Sequence, residues 1–223
     1  MSHYSPGQAP ERANSDSGER PAVLMADQLC RGFIHHDRRE REAAIDAFAA
    51  VDALQFDHLS EERAREAATG YVDALWAKDE IERDCTVEDR LDREALEAAD
   101  WSPVHGAFAD RADAAGIDPR YADLTTEAWR RHKTGGEYWT PMMHAQTLEL
   151  RAALREPDYP DKPRHARSGS GPEPVRYALG NELHDMRRWR EARAVMIPYF
   201  ERVVGERGGS RAEREAGFEP AGG

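Results

Sequence analysis

Residues 60–83, SEERAREAATGYVDALWAKDEIER, decide the fold. Ala64, Ala67, Ala68, Tyr71, Leu75 and Trp76 recur at three- and four-residue spacing, the period of an amphipathic helix with one broad apolar face. Ser60 stands where an N-cap belongs, and Glu61 and Glu62 suit the positive end of the helix dipole. No five-residue stretch of the chain alternates as a half-buried strand would. Outward from this segment, Ala, Leu, Glu and Arg dominate and β-branched residues are sparse.

The same signals predict helices near 21–35, 38–56, 87–99, 103–115, 119–133, 141–155, 175–187 and 189–204. Ser102-Pro103, Asp118-Pro119 and Thr140-Pro141 each set a capping residue before a proline suited to the first turn. Thr86 does the same for the acids Glu88 and Asp89. Gly116 and Gly135-Gly136 mark stops. Trp189, Ala192, Met196, Tyr199 and Val203 form a second core stripe. The expected architecture is a single all-α domain over 21–204. Residues 1–20 and 205–223 are polar and turn-rich and read as disordered tails. The Pro-rich stretch 156–174 reads as a disordered surface loop.

Composition narrows the function. The 223 residues carry 31 Lys and Arg against 43 Asp and Glu, a net charge of −12. That balance disfavours nucleic acid or anionic lipid as a partner. Only Lys78, Lys133 and Lys162 are lysines; the arginine bias with an acid excess fits a GC-rich or salt-adapted host. No run reaches the roughly 18–20 apolar residues of a membrane span. The first twenty residues lack the apolar core of a secretory signal, so the cytoplasm is the expected compartment.

Catalytic signatures are missing. There is no phosphate-binding GxxxxGK[ST], no GxGxxG after a strand and no HExxH. Cys30 and Cys85, the only two cysteines, cannot make a four-cysteine zinc site. Cys30 reads as buried packing, and Asp84 opposes a thiolate at Cys85. A di-iron bundle needs Glu-x-x-His pairs, and the residues three before His58, His105, His132, His144 and His184 are Gln55, Ser102, Trp129, Pro141 and Asn181. The sequence therefore predicts no catalytic residue, no metal and no cofactor. The rival class, a helical-bundle metal- or ligand-binding enzyme, would use His35, His36, His58 or His144. Trp129, Tyr138 and Trp139 flank Gly135-Gly136 and either face the core or present a surface to a partner.

Five segments in order resemble the cytoplasmic chaperones of molybdenum oxidoreductases, the TorD/DmsD/NarJ-type family. Leu29-Cys30-Arg31-Gly32-Phe33 is similar to the family's L-x-R-x-F, and Gly70-Tyr71-Val72-Asp73-Ala74-Leu75-Trp76 to its E-Y-x-x-L-F. Phe108 with Ala114-Ala115-Gly116-Ile117 resembles the F-Y…A-G-L helix end. Met143-His144-Ala145-Gln146-Thr147-Leu148-Glu149-Leu150 is similar to P-D-H-x-x-x-E-L, and Met196-Ile197-Pro198-Tyr199-Phe200 to W-x-P-x-F. Met142-Met143 replaces the family's Pro-Asp pair, Gly70 its acid, and the fourth segment lacks its aromatic. Losing the Asp bears on leader recognition more than on the fold.

The resemblance implies a non-catalytic chaperone whose client is an apo-oxidoreductase subunit or its leader peptide. The partner surface would centre on the helix opening at Pro141: His144, Met143, Tyr138 and Trp139, with Glu149 in an internal or rim contact that orients the helix. Residues 179–192 also resemble one tetratricopeptide hairpin, which would make the chain a helical protein-binding scaffold.

Overall fold

The computed structural model describes residues 19–155 and 173–208. These form one all-α domain: α1 (Glu19–Asp37), α2 (Arg41–Gln55), α3 (Glu61–Asp84), α4 (Arg93–Ala98), α5 (Ser102–Ala115), α6 (Arg120–Thr134), α7 (Trp139–Ala153), α8 (Glu173–Asp185) and α9 (Trp189–Gly208). The described residues leave out 1–18, 156–172 and 209–223, and so most of the expected tails, 1–20 and 205–223, and of the expected loop, 156–174. At their inner edges, α1, α8 and α9 extend two to four residues further than the sequence suggests.

The long α3 forms as its pattern demands. Ser60 Oγ accepts the Arg63 N–H at 3.2 Å, and the stripe Ala64, Ala67, Ala68 and Leu75 is buried. The helix over 87–99 is corrected. Thr86–Val87 and Arg90–Leu91 pair as a two-stranded antiparallel ribbon, β1–β2, turned by Glu88 and Asp89, both at positive φ. A two-residue hairpin turn of this hand requires that conformation at both central positions. Asp92 then caps the short α4, accepting from the N–H groups of Glu94 and Ala95, so Thr86 caps no helix. The prolines mark the three starts, but the expected caps are corrected: Trp101, Pro119 and Tyr138 hold the N-cap positions of α5, α6 and α7 without a side-chain cap hydrogen bond, and Ser102 and Thr140 fall inside their helices. Pro141 lies in the first turn of α7, where a missing N–H breaks no helical bond. Gly116 ends α5 in the left-handed conformation.

Each helix packs on its near neighbours in the chain: α1 on α2, α2 on α3, α3 on α5, then α5 through α9 in succession, with α4 against α6. Phe108 of α5 is fully buried at the centre, its ring edge-on to Trp129 at 4.8 Å and to Tyr121 at 5.7 Å. A smaller cluster of Ile45, Phe48, Val72 and Leu75 fills the α2–α3 interface, and Tyr71 and Trp129 join it to the main core. Helices α3 and α5 cross closely. A Cβ added at Gly70 would stand 2.7 Å from the Arg111 backbone nitrogen and 2.8 Å from the Ala107 carbonyl oxygen.

The closing stripe is also corrected. Among the described side chains of α9, Ala192 and Val195 are buried, while Trp189 is exposed and rests edge-on against His184 at 4.6 Å. Tyr199 is only half-buried, and the Val203 side chain lies outside the described set. Cys30 is exposed rather than buried, on a helix whose main packing partner is α2, with His36 meeting Asp79 of α3. Val23, Leu24 and Ile34 share that exposure.

Candidate functional site

The sequence places its candidate surface on α7, and the geometry of that helix starts from a buried charge. Arg111 projects from α5 into the core and is almost fully buried. Its guanidinium donates to both carboxylate oxygens of Asp52 at 2.9 and 3.0 Å, to Glu149 Oε1 at 2.9 Å and to the Ala67 carbonyl at 3.2 Å. The group also lies over the Tyr71 ring, 5.2 Å from its centroid. Burial opposes the Arg111 charge; Asp52, Tyr121 and Glu149 more than offset it and hold the guanidinium firmly protonated. The same burial pushes the Tyr71 phenol up to about 12 and drives Tyr121 higher still, with Glu149 adding to the latter. Helices α2, α5 and α7 are thus tied through one cation.

Glu149 is therefore turned inward, in the ion triad. His144 lies five residues earlier, about 140° round the helix, and is exposed. Trp139 is 61% exposed and stacks on Tyr138 with ring centroids 4.6 Å apart; Tyr138 in turn sits edge-on to His132 at 4.5 Å. Met143 is half-buried. The two tryptophans beside Gly135-Gly136 have opposite fates, Trp129 packing on Phe108 and Trp139 standing in solvent. Trp139 and Met143 sit about 140° and 100° round the helix from His144, so the aromatic pair and the histidine occupy different faces of α7.

His144 shares its face with another feature. Residues 144, 148, 151 and 155 follow one stripe at four-, three- and four-residue spacing. The last three line a cleft of about 530 Å³ between the C-terminal half of α7 and the α5–α6 turn. Its apolar lining is Ile117, Pro119, Leu148 and Ala152; its polar lining includes His58, Arg120, Arg151 and Arg155. Acids stand against these arginines: Arg120 grips Asp118 through Nε at 3.0 Å and Nη2 at 2.7 Å, Arg151 Nη2 reaches Glu191, an acid that Arg188 also holds, at 2.8 Å, and Arg155 Nε approaches Asp57 at 3.3 Å. His58 Nε2 lies 3.4 Å from the Ala115 carbonyl. Sequence reasoning missed both the triad and the cleft. Asp118-Pro119 was legible only as a helix start, and no local signal marked the cleft beside it.

The histidines of the rival reading are spread apart. His36 is buried and bridges Asp37 and Asp79 at 3.2 and 3.3 Å, while His35 pairs with Glu40 at 2.6 Å. Among the described residues no three His, Cys, Asp or Glu side chains converge as a metal site requires, and no helix is long and apolar enough to cross a membrane. Cys85 is buried, and burial, then Asp84 and Asp92, push its thiol above the ordinary value.

Comparison with known proteins gives no match: none among protein-family models, curated proteins or solved structures.

Proposed function

We propose that the chain is a non-catalytic chaperone that binds an apo-oxidoreductase subunit of the molybdenum-dependent kind and assists its assembly, cofactor insertion or export. The observation that carries this reading is the division of labour on α7: Glu149 locks the helix to Arg111, while His144 and the Tyr138–Trp139 pair stand outward. A helix held rigidly from within and presenting an exposed Trp is what a protein-binding surface needs. The order and spacing of the five motif-like segments name the client class. An acidic chain also suits a basic leader, since complementary charge speeds and orients encounter.

The test is co-expression with a tagged molybdenum oxidoreductase catalytic subunit from the same host. The chain is expected to co-purify with the cofactor-free subunit. His144→Ala and Trp139→Ala should each lower recovery while leaving the melting temperature unchanged. Leu148→Ala, which truncates a partly buried side chain, should cost about 2 kcal/mol or more of stability. Recovery unchanged by both surface variants, or His144→Ala as destabilising as Leu148→Ala, would remove α7 as the contact surface.

A further inference from the structure

The cleft beside the α5–α6 turn has no part in the client reading, and its chemistry is specific enough to name a ligand class. We infer that it is a binding site for a monoanionic carboxylate carried on an apolar body. Its volume of about 530 Å³ falls inside the roughly 300–1,000 Å³ of small-ligand sites, which join apolar walls to a few polar groups. Ile117, Pro119 and Leu148 supply the walls. The polar side inverts the character of the whole molecule. In a chain of net charge −12, three arginines and a histidine face one cavity whose own lining holds a single acid, Asp118.

The donors on the polar wall select the ligand. Asp118 and Asp57 lie against Arg120 and Arg155, and Glu191 is shared between Arg151 and Arg188. Guanidinium N–H groups remain on two of these arginines. Arg155 meets Asp57 through Nε alone, which leaves its paired Nη groups for another acceptor, and a guanidinium fork matches a carboxylate. Arg120 spends Nε and Nη2 on Asp118 and keeps Nη1. His58 Nδ1 is buried without a hydrogen-bond partner, 3.9 Å from Asp57. The ring itself lines the cleft, with Nε2 3.4 Å from the Ala115 carbonyl.

A free small organic acid and the C-terminal carboxylate of a peptide share this chemistry, and calorimetry on the full chain at low salt separates them. The probes are 4-phenylbutyrate, a six-residue peptide ending in leucine as its free acid, and the same peptide as its C-terminal amide. Saturable binding is expected for at least one of the two acids: 4-phenylbutyrate alone identifies a free acid, the peptide acid alone a chain terminus, and both the shared chemistry. Arg155→Ala and Arg120→Ala, at exposed positions where folding is not at risk, should each weaken binding about tenfold or more, as loss of a charged hydrogen bond does. Arg131→Ala, on α6 away from the cleft, should change nothing. Absence of binding by both acids, an amide that binds as well as its acid, or affinity unmoved by both cleft variants would overturn the inference. None of these results depends on whether a client co-purifies.

Discussion

Asp52→Ala tests the ion triad most directly. Asp52 supplies two of the four hydrogen bonds to Arg111, both in a site closed to water. Removing one partner of a buried pair costs about 3–5 kcal/mol, because the remaining charge stays desolvated. Glu149 remains to neutralise it, and its side chain is 22% exposed, so the expected loss is about 3 kcal/mol. In a domain of this size that lowers Tm by about 6–12 °C. Glu149→Gln, which keeps the shape and one acceptor, should cost about 1–2 kcal/mol. The decisive variant is the double change Asp52→Leu with Arg111→Met. It removes both charges together, leaves Glu149 able to reach water, and should recover most of the stability that Asp52→Ala loses. Urea unfolding followed by helical circular dichroism gives all three values. A loss under about 1 kcal/mol for Asp52→Ala, or a double variant as unstable as the sum of its parts, would refute the account of Arg111 as a buried cation held by its acids.

Gly70→Ala should destabilise by about 1–3 kcal/mol, although the same change in an open helix gains about 1; the new methyl meets Arg111 and Ala107 backbone, and a gain in chemical denaturation would show that the crossing can relax. Gly180→Ala should cost less, since its Cβ would meet only the flexible Met196 side chain, 2.3 Å from Cγ. Stability should hold to about pH 10 and fall between about pH 10 and 12: the Tyr71 phenol is raised in the folded chain, so the unfolded state loses its proton first and is favoured as pH rises. Phenolate absorbance showing every tyrosine ionising near pH 10 before the helices melt would contradict this. With a net charge of −12, Tm should rise between dilute buffer and molar salt as self-repulsion is screened; no change would argue against it.

The helical class was readable because its signals are local. Ser60, Gly116 and the stripe of α3 each act within a turn or two of chain. The triad was not, since Arg111 sits in an alanine-rich helix where an arginine reads as solvated, and its acids lie 59 and 38 residues away. The family-like pattern expects an acid where Gly70 stands; packing explains the glycine, because any side chain there would strike α5. The ribbon at 86–91 escaped because its turn is Glu88-Asp89 rather than the Asn-Gly or Asp-Gly that announces a tight hairpin. Cys30 and Trp189 were misplaced for one reason: periodicity shows which residues share a face but not whether another helix covers it. On α7 the spacing set His144 and Glu149 on different sides, yet only tertiary structure shows that Glu149 meets Arg111 and that Leu148, Arg151 and Arg155 line a cleft.

The succession of neighbouring helices has a consequence for how the chain is made. When most contacts join elements adjacent in sequence, the loops to be closed are short and folding is fast. Helices α1 to α3 and α5 can bury their faces while the C-terminal half is still being synthesised, and Asp52 is then in place to receive Arg111. Glu149 arrives later, so the guanidinium waits with one acid until α7 docks. The triad then ties α7, and with it the surface bearing His144, to helices laid down earlier in the chain.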